Sequence, residues 1–202
     1  MIRNIIFDIG GVLAGFDWTS YIRKYGFDPE KEAALTGALV GGPYWKEFDR
    51  GVMSMDELKE CFCSLVPEEY REDLLMVFQN AGGCVYRLDH AKPWIATLKE
   101  HGYRTYYLSN YSAWMIEQTK EALDFLPLLD GGIFSCEVKQ IKPDEGIYRS
   151  LLSRYPEILP EESVFLDDTA VNVEAARRLG FHGIVVQNKE QAELELARLL
   201  AR

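Results

Sequence analysis

The sequence predicts an α/β fold, and three observations carry that reading. Short apolar runs alternate with longer helical patterns along most of the chain. Several of those runs stop at an acidic or hydroxyl residue, as buried strands do when they reach the edge of a sheet. One long interval, from about Phe16 to Arg87, breaks the alternation and reads as helices only.

Taken in order, Ile2 to Phe7 (IRNIIF) reads as a buried strand ending at Asp8. The interval that follows contains helical patterns at Trp18–Tyr25, Asp28–Thr36, Met55–Leu65 and Glu68–Gln79, with GGPYWKEFDRG around Gly41–Gly51 as a loop or short helix. It is far longer than one crossover needs, so residues 16–87 are expected to form an inserted helical subdomain, with 1–15 and 88–202 as the α/β core. Trp94 to His101 is a helix stopped by Gly102. Tyr103 to Leu108 (YRTYYL) is rich in strand formers and ends at Ser109, and a helix is expected over Tyr111 to Leu123. Ile133 to Ser135 is a short, weaker strand, followed by a helix over Glu145 to Tyr155. Ser163 to Leu166 (SVFL) ends at Asp167, a helix covers Val171 to Leu179 before Gly180, and Gly183 to Val186 closes the set of strands. Strands joined in this way by helical crossovers pair in parallel.

Composition narrows the function classes. The chain has 202 residues, and 22 Lys and Arg against 32 Asp and Glu give a formal charge of −10. With 48% hydrophobic and 27% charged residues it has the balance of a globular protein able to build a core without staples. The acidic surplus and the absence of a Lys/Arg run argue against nucleic acid or an anionic membrane as partner. The opening MIRNIIFDIG has no signal-peptide pattern and no apolar run is long enough to span a bilayer, so a cytoplasmic location is expected. The four cysteines (Cys61, Cys63, Cys84 and Cys136) lack zinc spacing and read as reduced thiols.

The chemistry lies at the strand ends. In a parallel sheet the carboxyl ends of the strands share one edge, where α/β proteins build their sites. Asp8 and the Asp167-Asp168 pair follow two strands, Ser109 ends a third, and Lys142 stands just after another, so all converge on one crevice. Three ionised carboxylates repel unless a cation holds them, and an all-oxygen set suits Mg²⁺. A carboxylate nucleophile with Mg²⁺, a hydroxyl and a lysine suits phosphoryl transfer. Singly, each residue has a plainer reading: Asp8 as a turn residue, Gly10-Gly11 as a tight turn, Ser109, Ser112, Asp168 or Thr169 as helix caps. Lys142 resists one, because a lysine beside a helix N-terminus opposes the helix dipole unless an anion is there.

IIFDIGGVL, YYLSN, IKPDEGIY and VFLDDTAVNVEAARRLG together resemble the four motifs of the haloacid dehalogenase (HAD) superfamily of hydrolases. Their order and spacing cover nearly the whole chain, and the insertion resembles the small helical cap of the branch that includes sugar-phosphate phosphatases. The resemblance implies a Rossmann-like three-layer sandwich with a parallel sheet and an inserted cap. It implies a Mg²⁺-dependent phosphohydrolase that acts on a small phosphorylated metabolite through a phospho-aspartate, as a monomer or weak homo-oligomer. Asp8 would be the nucleophile, and the Gly10 carbonyl, Asp168 and Asp167 would bind Mg²⁺ with it. Ser109 and the Asn110 amide would hold phosphoryl oxygens, Lys142 would neutralise developing charge, and Asn172 would orient the last loop.

One position departs from the pattern. Most phosphatases of the superfamily carry a second aspartate two residues after the nucleophile, as general acid and then base; here that residue is Gly10. The DxGGV form resembles a subgroup of cap-bearing relatives. Metal binding through the Gly10 carbonyl survives the change, while proton transfer needs another group, for which Asp17 is a nearby candidate. Dehalogenases of the superfamily also lack that aspartate but do not need the Asp167-Asp168 pair. A phosphonatase would need a cap lysine, for which Lys46 is the only candidate. The alternatives are therefore another HAD hydrolase, or a phosphate-binding regulatory protein with little turnover. Trp18, Tyr44, Trp45 and Phe48 read mostly as cap core, and His90, His101 and His182 as structural or exposed.

Overall fold

A computed structural model of the protein describes residues 1–201. The strands are β1 (Asn4–Phe7), β2 (Ala14–Phe16), β3 (Val85–Arg87), β4 (Arg104–Ser109), β5 (Gly131–Phe134), β6 (Ser163–Asp167) and β7 (His182–Val185). Five of them form one parallel sheet in the order β5-β4-β1-β6-β7. β1 is central because all four of its residues are buried, and it has partners on both sides. From β1 the chain runs outward through β4 to β5, then crosses back to β6 and β7 on the other flank. The order reverses at β1, which makes its carboxyl end the switch point where such sheets open a crevice.

The interval between β2 and β3 is helical, as the sequence predicts: α1 (Trp18–Arg23), α2 (Pro29–Ala38), α3 (Trp45–Arg50), α4 (Met55–Cys63) and α5 (Arg71–Gln79). Local chemistry sets their ends. Asp17 accepts a hydrogen bond from the Ser20 amide, Asp28 accepts from Glu30 and Lys31, and Ser54 with Glu57 forms a reciprocal capping box. α3, in the segment read as a loop or short helix, stops at Gly51 in the left-handed region (φ 67°). An aromatic nucleus holds the helices together, with Phe78 5.1 Å from Phe48 and 5.0 Å from Phe62, ring centre to ring centre. Trp18 and Phe48 are core residues, whereas Tyr44 and Trp45 are half-buried.

The remaining helices are α6 (Ala91–Glu100), α7 (Ala113–Gln118), α8 (Ser135–Val138), α9 (Glu145–Arg154), α10 (Ala170–Arg178) and α11 (Lys189–Leu200). Strand alternation divides the core in two. Ile5, Phe7 and Leu166 pack with Trp94, Ile95, Leu98 and Leu196 of α6 and α11. Ile6, Tyr106, Leu108 and Phe165 pack with Ile147, Tyr148 and Leu151 of α9 and with Ala175 and Ala176 of α10. The result is a three-layer sandwich, and the first of these cores runs on into the helical insertion.

Four features depart from the sequence expectation. The helix expected over Tyr111–Leu123 is only α7, which begins after Ser112, whose Oγ accepts from the Met115 amide. It ends where the Thr119 hydroxyl donates back to the Met115 carbonyl and competes with the helical ladder. Glu68–Tyr70, expected as α-helix, is a turn of 3₁₀ helix. β2 and β3 form an antiparallel pair at the two ends of the insertion; three-residue strands such as AGF and VYR carry no readable period. α11 and the single turn α8 also stand outside the elements the sequence suggested. No helix among the described residues is long and apolar enough to cross a membrane.

Candidate active site

The sheet register brings the polar strand ends together. Phe7 pairs with Leu166 on one side and Tyr107 on the other, so Asp8 and Asp167 follow side by side at the carboxyl edge, with Ser109, the last residue of β4, one step further along. Asp8 is buried, and its Oδ1 accepts from the Ile9 amide at 2.7 Å and from the Ser109 hydroxyl at 2.7 Å. The Lys142 ammonium, only 3% exposed, lies 2.8 Å from Asp8 and 2.7 Å from Asp167. It bridges the nucleophile candidate and the acidic pair, with the Phe165 ring 5.5 Å beneath it.

The two carboxylates of the pair have different surroundings. Asp167 is fully buried and its oxygens are committed: to Lys142, to the Thr169 amide at 2.8 Å, and to the Asn172 side-chain amide at 3.1 Å for each oxygen. Asp168 is exposed and accepts only from its neighbour Thr169. Carboxylate oxygens of Asp8, Asp167 and Asp168 lie within 4.8 Å of one another. This all-oxygen donor set fits Mg²⁺, a hard ion that takes one or two carboxylates and keeps other positions for water and phosphate oxygens. Asp168 has lone pairs to offer, Asp8 faces the same centre, and the Gly10 carbonyl accepts no backbone hydrogen bond among the described residues.

Charge follows from this packing. Burial pushes the Asp8 carboxyl up to about 6 even though Lys142 pulls it down, with Asp167 adding repulsion. Burial alone would lower Lys142, but Asp8 and Asp167 outweigh it and hold the ammonium above its ordinary range. Although Asp168 reaches solvent, surrounding protein partly desolvates its carboxyl, and this together with the charge of Asp167 raises it. With Asp8, Asp167 and Asp168 ionised, three negative charges face one ammonium, and the centre attracts a dication.

The turn after β1 needs glycine at one position. Gly11 has φ +70°, and a Cβ there would lie 2.3 Å from an Asp168 oxygen. Gly10 has open space where a Cβ would go, with nothing within 4 Å of it. The Asn110 side chain bonds to the backbone on both sides of the Lys142 peptide. Its Oδ1 accepts from the Lys142 amide at 2.7 Å and its Nδ2 donates to the Lys142 carbonyl at 3.0 Å, so it clasps the lysine loop. Its backbone N–H remains the group that can face an oxyanion.

A cavity of about 190 Å³ lies over these residues, between the strand ends and the helical insertion. Its walls include Asp8, Gly10, Ser109, Asn110 and Lys142 from the core, Phe16 from β2, and Trp45 and Asp49 from α3. Asp49 is the residue sequence reasoning missed. It belongs to no motif, and the only signal is an acid in the amphipathic stretch YWKEFDRG, which alone does not separate a solvated face from a site. The two acid–base and cap candidates read from sequence lie elsewhere. Asp17 caps α1 and Lys46 is exposed, and neither lines the cavity. His90 bonds to the Val12 carbonyl and His101 to the Thr97 carbonyl.

The sequence pattern of one family, described as haloacid dehalogenase-like hydrolase, matches residues 2–180. The chain belongs to this family. Among curated relatives of the hydrolase, the sesquiterpene phosphatase astK of Aspergillus oryzae is 26% identical over 98% of this chain and 96% of its own length. D-ribitol-5-phosphate phosphatase of Bacteroides thetaiotaomicron is 25% identical over 99% of both chains. A solved HAD family enzyme of Bacteroides thetaiotaomicron, in complex with magnesium and inorganic phosphate, shares the fold. Its TM-score is 0.68 at 20% identity, with 93% of this chain and 95% of that chain covered.

Proposed function

We propose that this hydrolase is a Mg²⁺-dependent phosphohydrolase that cleaves a small phosphorylated metabolite through a phosphorylated Asp8. The observation that carries the reading is the shared lysine: Lys142 bonds Asp8 and Asp167 at 2.8 and 2.7 Å, beside a third carboxylate, under a small cavity. That set holds a nucleophile ionised, leaves a charge deficit for one dication, and offers positive charge to an anionic group. The two full-length relatives named as phosphatases support it.

In this reading, residues 1–15 and 88–202 form the catalytic core and residues 16–87 the cap that covers it. Asp8, Asp168 and the Gly10 carbonyl hold Mg²⁺, which supplies charge neutralisation to the phosphoryl oxygens. Asp167 positions rather than ligates, because its oxygens already serve Lys142, Thr169 and Asn172. The free Asp8 oxygen attacks phosphorus, while the Ser109 hydroxyl and the Asn110 backbone N–H receive phosphoryl oxygens. Lys142 stays charged throughout and balances the negative charge that gathers at the transferring group. The cavity of about 190 Å³ has space for a compact substrate beside Asp8, with Trp45 and Asp49 in its wall. The two relatives act on a sesquiterpene and a sugar-alcohol phosphate by name, so the leaving group is chosen by the cap rather than by the motifs.

The test is hydrolysis of an aryl phosphate with and without Mg²⁺. Activity should need the metal and should vanish in Asp8→Asn, with a phosphoryl group on Asp8 in acid-quenched wild-type protein. Metal-independent activity, or turnover undiminished in Asp8→Asn, would overturn the reading.

A further inference from the structure

The site as described has a nucleophile, a metal position and an oxyanion pocket, but no group that moves a proton. An alcohol leaves phosphorus slowly as alkoxide, and water attacks the phosphoenzyme slowly without a base. Gly10 stands where the family's usual acid would be, and Asp17 is turned away into the cap of α1. One carboxyl remains in the cavity wall. Asp49, on α3, lines the cavity together with Asp8.

Its placement is fixed. The Asp49 carbonyl accepts from the Ser135 hydroxyl at 2.6 Å, and the same hydroxyl accepts from the Tyr111 amide at 2.8 Å. The Gly51 carbonyl accepts from Lys139 at 2.6 Å, and Arg50 faces Asp144 at 3.7 Å. Phe48, one residue earlier, is anchored in the aromatic nucleus. α3 is therefore fastened on both faces, to the helical insertion and to the sheet core, with Asp49 aimed between them. Its carboxyl takes no hydrogen bond and no ion pair from the described residues, and the half-buried residue lines the cavity. A carboxyl withdrawn from bulk water without a partner is costly to keep, and a structural aspartate would have one.

We infer that Asp49 is the general acid–base of this hydrolase, working from the cap side in place of the aspartate missing at Gly10. The inference rests on the phosphohydrolase reading above and extends it to the proton. In the first step an Asp8 oxygen forms a bond to phosphorus and the bond from phosphorus to the ester oxygen breaks. The departing oxygen takes the proton of the Asp49 carboxyl and leaves as the alcohol. In the second step the Asp49 carboxylate takes a proton from water, the water oxygen bonds to phosphorus, and the bond from phosphorus to Asp8 breaks. Phosphate leaves, Asp8 is again a carboxylate, and Asp49 is again protonated, so the cycle closes. Burial and the negative charge of Asp8 push Asp49 up to about 7 against the pull of Lys142, which leaves it able to give and take a proton near neutrality. The other titratable groups that sense it, Tyr111 and Cys136, are themselves raised by burial and stay neutral there.

The experiment compares wild type, Asp49→Asn, Asp49→Glu and the double variant Gly10→Asp/Asp49→Asn on an alkyl and an aryl phosphate. An aryl leaving group needs no acid. Asp49→Asn should therefore release one equivalent of phenol in a burst, stall, and accumulate phospho-Asp8, visible as one added phosphoryl group in intact-protein mass spectra. With the alkyl phosphate the same variant should lose about 10²–10⁴-fold in kcat with little change in KM and show no burst. Asp49→Glu should recover part of that loss. Gly10→Asp should recover it too, because nothing lies within 4 Å of a Cβ at position 10 and the position lines the same cavity. Equal loss on both substrates in the first turnover, a change confined to KM, or no rescue by either carboxylate would overturn the assignment. Failure of Asp8→Asn to stop phenol release would instead overturn the underlying reading and leave these outcomes without a phosphoenzyme to act on.

Discussion

Asn172 donates to both oxygens of the Asp167 carboxylate at 3.1 Å, so the first turn of α10 holds an acid that ends β6. The Asn172 carbonyl in turn accepts from the buried Tyr148 hydroxyl at 2.8 Å, which ties the clamp to α9. Removing the amide leaves Asp167 with Lys142 and the Thr169 amide alone. Asn172→Ala should lower activity or Mg²⁺ affinity about 10–100-fold, read from kcat and from activity titrated against Mg²⁺, with the chain still folded. Unchanged values for both would show that Lys142 and the Thr169 amide suffice to position the carboxylate.

The two glycines after β1 make a matched pair. Gly11→Ala places a methyl group 2.3 Å from Asp168 in a left-handed backbone conformation, so it should displace that carboxylate and raise the Mg²⁺ requirement. Gly10→Ala meets nothing within 4 Å and should leave the requirement near wild type. Magnesium titrations of the two variants side by side give the comparison.

Phe78 is fully buried between Phe48 and Phe62. Phe78→Ala should cost about 3–5 kcal/mol of stability, measured by urea unfolding. Because Phe48 adjoins Asp49, the same variant should also loosen the cavity wall and reduce activity under conditions where it remains folded.

Asp130 links the start of β5 to its neighbours. It is opposed by burial, but Lys99 at 2.7 Å and the Thr105 amide at 2.8 Å outweigh that and lower its pKa. A carboxyl that is more acidic folded than unfolded stabilises above its unfolded pKa, and the contribution is lost as pH falls through the folded value. Asp130→Asn should therefore lower the Tm at neutral pH, and the difference from wild type should shrink below about pH 4.

The sequence made the sheet and its polar edge legible, because strands buried on both faces are continuous apolar runs and because Asp8, Ser109 and Asp167 each stop one. That these would meet follows from parallel order alone. The division of labour within the acidic pair was not legible: Asp167 and Asp168 are adjacent letters, and only burial and hydrogen bonding separate them. Asp49 was out of reach for a similar reason. Apart from Trp45 on the same helix, its neighbours in the cavity are about thirty or more positions away along the chain, and helix periodicity says which face is wet, not what the wet face opposes. β2 and β3 were too short to read, since three residues show no alternation.

That short ladder has a further consequence. Phe16 pairs with Val85, and the Tyr86 ring crosses Gly15 so closely that a Cβ would lie 2.1 Å from it. Exit and re-entry of the chain are thus stitched at one strand spacing, about 4.8 Å, on the core side of the helices. The helices that carry Trp45 and Asp49 therefore reach the cavity over Asp8 from a single pair of strands, with Phe16 and Val85 at its inner end.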